Sequence, residues 1–128
     1  MLIINALKNY WKSLIIVAVI LHLSFASPSE FKGIPTFENE DKLVHFLMYA
    51  GLAIALIYDY KGSTLKKSTL IYWLICIVFP ISLGGIVEIL QPMYFAPRSA
   101  SWFDWLADIL GVLAGWLTMK ALYKKLNA

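Results

Sequence analysis

Cysteine, charge and polar sequence are all scarce in this chain, and each scarcity removes a class of explanation. Its one cysteine, Cys76, sits inside an apolar run, so no internal disulfide can form and cysteine usage says nothing about redox compartment. Only 15% of the 128 residues are charged, and no polar tract is long enough to form a soluble domain, a repeat or a low-complexity tail. No glycine-rich phosphate loop, nucleophile elbow or cysteine pair is present. What the chain does contain is hydrophobic sequence: 60% of it, against about 45–50% in a soluble domain. With a mean hydropathy of +0.70, it is expected to be a membrane protein. A net charge of +3 in a soluble protein would suggest an anionic partner, but here most lysines flank apolar segments, where they orient the chain. Nucleic acid is therefore not an expected partner; the lipid bilayer is.

The apolar segments number four, predicting an all-α, four-helix transmembrane bundle that forms one integral membrane domain over residues 1–128. The predicted spans are 10–27, 42–59, 68–91 and 102–122. The first follows Lys8, Tyr10, Trp11 and Lys12 and, at about 17 apolar residues, is at the short end for a spanning helix. It also has a competing reading as a signal peptide, since Lys8 and Lys12 precede the apolar run and Ser24-Phe25-Ala26 fits a small-residue cleavage site. His22 within the run argues for the span. Residues 27–41 carry Pro28, Gly33, Pro35 and several acids, and predict a loop. Asp41 is placed to cap the second helix, and Lys61, Lys66 and Lys67 mark a short basic hairpin after it. The third segment holds Pro80 and the pair Gly84-Gly85, which predict a kink near its middle.

The basic residues set an orientation. Placing both termini in the cytoplasm puts Lys8, Lys12, Lys61, Lys66, Lys67, Lys120, Lys124 and Lys125 inside, with Lys32, Lys42 and Arg98 outside. Lys42 and His45 then begin the second helix, Glu88 and Gln91 finish the third, and Asp104 and Asp108 begin the fourth, all at the outer side. At 1.5 Å per residue, His22, His45, Glu88 and Asp108 fall roughly 5–9 Å inward from their helix ends. Polar groups at that depth are functional candidates, because charge in a bilayer is costly. Asp104, Asp108, Gly111 and Gly115 share one face of the fourth helix, joining the acids to a Gly-x-x-x-Gly groove suited to close helix packing.

Each candidate also has a purely structural account. Ser101 and Asp104 have capping-box spacing, Asp41 and Lys42 read equally as a cap and an interface lysine, and Glu88 and Arg98 can pair with each other. A metal held by His45, Glu88, Asp104 and Asp108 is chemically conceivable, but no paired ligand motif supports one, and no metal or cofactor is expected.

The pattern Asp41-Lys42-x-x-His45-Phe46-x-x-Tyr49, Glu88-x-x-Gln91 and Arg98…Asp104…Asp108…Gly111 resembles the VanZ-like family of small multi-pass membrane proteins, over roughly Asp41 to Gly115. The family commonly has asparagine where this chain has Asp108. The resemblance implies a cell-envelope protein linked to resistance to teicoplanin, a glycopeptide antibiotic that acts on cell-wall precursors outside the membrane. Together with the residue pattern it suggests an extracytoplasmic pocket for an anionic, lipid-linked or glycan ligand such as a cell-wall precursor. Arg98, Lys42 and His45 would supply cations and donors, and Glu88, Gln91, Asp104 and Asp108 would complete the pocket. Two other readings stand beside it: an intramembrane hydrolase or transferase acting on a lipid-linked phosphate, with catalytic candidates His45, Glu88 and Asp104, and a structural accessory subunit.

Overall fold

The computed structural model describes residues 2–25, 40–65, 67–94 and 102–126. Its elements are α1 (Leu2–Phe25), α2 (Glu40–Gly62), α3 (Thr69–Trp73), a π-helical turn at Leu74–Val78, α4 (Phe79–Tyr94) and α5 (Trp102–Leu126). Since α3, the π turn and α4 form one continuous rod, the described residues hold four helices long and apolar enough to cross a membrane: Ile3–Phe25, Lys42–Gly62, Thr69–Leu90 and Trp102–Leu126. The exposed large side chains are mostly aliphatic or aromatic, among them Ile15, Leu47, Leu74, Ile86 and Leu117, as a lipid-facing surface requires.

Two irregularities refine the predicted boundaries. Helix α1 starts at Leu2 rather than near residue 10, but Tyr10 has non-helical backbone angles (φ −119°, ψ 21°), so the helix bends where the aromatic and basic flank meets the apolar run. In the third rod the irregular turn precedes Pro80. The Phe79 N–H donates to Leu74 O, five residues back, which opens the helix where the proline ring would otherwise press on the Cys76 carbonyl and leave it without a donor. Both Cys76 and Pro80 are fully buried beside this wide turn. The rod begins with a cap, Ser68 Oγ accepting from Ile71 N at 3.1 Å.

The closest pairing is between α2 and α5. They run parallel, and glycines set their approach as the Gly-x-x-x-Gly spacing predicts. A Cβ on Gly111 would collide with the Phe46 carbonyl, and one on Gly115 would lie 2.6 Å from Ala50 O and 2.9 Å from the Ala53 Cβ. Around this seam Tyr49, Leu52, Ala53, Leu56, Ile57, Val112 and Met119 make the core, with Ile20 from α1 and Cys76 from the third rod.

Helix α1 is fastened to α2 by a buried polar contact. Asp59 is 3% exposed, and its Oδ2 accepts from Ser13 N at 3.0 Å and Ser13 Oγ at 2.8 Å. Lys12 Nζ stands 3.9 Å from Asp59 Oδ1 and lies over the Trp11 and Tyr58 rings. Asn9 adds two bonds to Thr64 in the following turn. Residues 2–25 are thus knitted into the bundle. The alternative reading of this segment as a leader turns on Ala26, which lies outside the described residues.

Candidate functional site

Parallel packing of α2 and α5 brings the opening turns of both helices to the same end of the bundle. There His45 Nδ1 and Asp108 Oδ1 are 2.8 Å apart, with side-chain exposures of 12% and 1%. Their meeting follows from the glycine seam: Gly111 against Phe46 fixes the register that puts Asp108, one turn earlier, opposite His45. One turn further out, Lys42 Nζ and Asp104 Oδ1 are 3.5 Å apart, and the lysine is partly exposed. A pair whose lysine reaches solvent adds less stability than a fully buried one, whereas the buried His45–Asp108 contact sits where an unmatched polar group is costly.

The third rod closes the cluster. Its direction is opposite to α2 and α5, so Glu88 near its end reaches the same level. Asp108, Asp104 and Glu88 are all near enough to act electrostatically on His45, and Asp108 and Glu88 on Tyr49. Glu88 and Tyr49 are buried, at 5% and 1% exposure. Asp108 Oδ2 packs against Gly84, where a Cβ would lie only 2.7 Å away, so a larger residue there would have to displace the carboxylate. Among the described residues, neither Asp108 Oδ2 nor the Tyr49 hydroxyl has a hydrogen-bond partner. Unmet capacity of this sort inside a bundle costs about 1–3 kcal/mol per group.

Beside the cluster, between α4 and α5, lies a cavity of about 410 Å³ lined by Ser82, Gly85, Ile86, Glu88, Ile89, Trp102 and Trp105. Among the described residues, Glu88 is its one ionisable lining group. Trp105 Nε1 donates to Ile81 O at 3.0 Å, and Gly85 lets the indole lie against the helix, since a Cβ there would sit 3.3 Å from that nitrogen. Trp102 stands 5.6 Å from Trp105, centroid to centroid, and is largely exposed. The mouth is flanked by lipid-facing Ile86 and Ile89.

The structure therefore brings Lys42, His45, Glu88, Asp104 and Asp108 to one level. Gln91 belongs to α4, but its side chain, like that of Asp41, lies outside the described residues, as do Arg98 and Ser101 entirely. His22 is exposed on α1. No group of three or more His, Cys, Asp or Glu side chains suited to a metal occurs among the described residues. Sequence reasoning missed Trp102 and Trp105 as cavity walls. The signal available was two tryptophans at i and i+3 flanking Asp104.

Comparison with protein-family models, curated proteins and solved structures finds no match to this chain.

Proposed function

We propose that this multi-pass membrane protein is a VanZ-like cell-envelope protein that binds a lipid-linked glycan at the extracytoplasmic end of its bundle. The observation that carries the reading is the cavity in which a buried carboxylate, Glu88, meets two tryptophans, open beside lipid-facing Ile86 and Ile89. A sugar has apolar C–H faces that stack on indole and hydroxyls that donate to a carboxylate, while the lipid portion needs an apolar exit. An anionic linkage would be met by half-exposed Lys42 and by Arg98. Placing this end outside rests on the lysines concentrated at the opposite end.

The test uses the full-length protein in detergent, titrated with a polyprenyl-diphosphate-linked disaccharide and followed by tryptophan fluorescence. Wild type is expected to bind it more tightly than sugar-free polyprenyl phosphate, and Glu88→Gln and Arg98→Gln each to weaken binding at least tenfold while keeping the wild-type melting temperature. Unchanged binding in a well-folded Glu88→Gln protein would overturn the assignment.

The His45–Asp108 contact favours a second reading, an intramembrane hydrolase or transferase acting on a lipid-linked phosphate. A carboxylate on Nδ1 fixes the imidazole and presents Nε2 for proton transfer. Turnover of the same lipid, measured by mass, that is abolished in His45→Gln while binding persists would favour this reading over binding alone.

A further inference from the structure

At the end of the bundle opposite Glu88, a second cavity of about 270 Å³ has walls from three elements: Lys61 of α2, Tyr72 and Trp73 of α3, and Trp116, Lys120 and Tyr123 of α5. We propose that it is a binding site for the headgroup of an anionic phospholipid drawn from the bilayer. Its two cations face one small space. Among the described residues no carboxylate lies within ion-pair distance of either lysine; Asp59, two residues before Lys61, pairs with Lys12 instead. Both ammonium groups rest on ring faces, Lys61 at 5.4 Å from the Tyr123 centroid and 6.0 Å from Tyr72, and Lys120 at 5.0 Å from Trp116. Ring contacts steady the ammonium groups without neutralising them, so the positive charge is still there for a phosphate.

The surroundings favour a lipid as the source of that phosphate. Lys61 closes the second span and Lys120 lies in the last turns of the fourth, at the depth where headgroups reside, and aromatic residues at this level form an interfacial belt. Beside the cavity, Leu70 and Leu117 are exposed at 68% and 56%, which gives acyl chains an apolar surface to follow. Basic pockets between membrane helices take anionic headgroups by this combination of charge and apolar wall. The site shares no residue with the Glu88 cavity and does not depend on what that cavity binds.

The experiment is native mass spectrometry of the full-length protein equilibrated with dioleoylphosphatidylglycerol or dioleoylphosphatidylcholine, with inorganic phosphate as a third probe. Wild type is expected to retain the phosphatidylglycerol in preference to the phosphatidylcholine. Lys61→Gln with Lys120→Gln should weaken retention by roughly thirtyfold, taking about 1 kcal/mol for each lysine. The arginine pair, Lys61→Arg with Lys120→Arg, should keep it, and so should Lys124→Gln with Lys125→Gln at the helix end. If the double glutamine variant melts lower than wild type in phosphatidylcholine nanodiscs, Lys120→Gln alone carries the test, with an expected fivefold loss. Equal retention of the two lipids, no loss in the folded variants, or an equal loss in the Lys124 and Lys125 variant would overturn the site. Displacement of the lipid by millimolar inorganic phosphate would assign it to a free anion instead.

Discussion

Adding one methyl group at three glycines should give opposite signs of stability change, because the glycines differ only in what a Cβ would meet. At Gly51 it would meet nothing within 4 Å, so Gly51→Ala keeps every contact and gains the helix preference of alanine, about 0.5–1 kcal/mol. At Gly115 it would lie 2.6 Å from Ala50 O, short of the 3.4 Å at which ordinary contact begins, so the backbones of α2 and α5 must separate by roughly 0.8 Å locally. Neither backbone carbonyl nor buried Ala53 can rotate aside. Overpacking of this kind costs about 1–3 kcal/mol, which outweighs the propensity gain and leaves Gly115→Ala less stable than wild type. Gly111→Ala should cost more, since the approach to the Phe46 carbonyl is closer still and the displaced helix carries Asp108 away from His45. Unfolding of the three purified variants in mixed detergent and dodecyl sulfate micelles reads the sign directly. A Gly111→Ala or Gly115→Ala protein as stable as Gly51→Ala would refute the glycine seam, and with it the account of how His45 and Asp108 meet.

Two further expectations concern the other end of the bundle and its direction in the membrane. Ser13→Ala removes the 2.8 Å bond to Asp59 while leaving the backbone N–H in place, and should lower stability by about 1–2 kcal/mol, with Ser13→Ala plus Asp59→Leu recovering part of the loss; no change in micelle unfolding for Ser13→Ala would mean that this contact does not hold α1. With both termini cytoplasmic, a membrane-impermeant thiol reagent on intact cells should label cysteine introduced at Ser29 but not at Lys67, against a low background because Cys76 is fully buried; the reverse pattern would turn the protein over.

The four spans, and the face of the fourth that packs closely, were legible because hydrophobic length and small-residue spacing are local properties of sequence; which helix that face meets was not. Tyr10 marks where this stops: its position between a basic flank and an apolar run reads as the start of the first span, but the helix begins at Leu2 and only bends at Tyr10. Pro80 was legible as a disturbance but not in its form, since whether a helix answers a proline by kinking or by widening the preceding turn depends on what packs around it, here buried Cys76. Asp59 was not legible at all. A carboxylate beside Tyr60 and Lys61 at the end of an apolar run reads as the edge of the membrane, and only the packing of α1, 46 residues away in sequence, makes it an internal acceptor. The Glu88 cavity was half legible, for the acid stood out in its apolar run while the tryptophans that shape the space carried no reading of their own.

The parallel seam between α2 and α5 has a consequence for biogenesis. Membrane helices emerge from synthesis in chain order, yet the tightest partnership here joins the second to the fourth, with the entire third rod made in between. During that interval the Phe46 and Ala50 backbone faces lipid where glycine will later press against it, and His45 has no aspartate beside it. The α1–α2 contact through Ser13 and Asp59, by contrast, needs only the first two helices. The closest packing along α2 is therefore complete only once the last helix is in place.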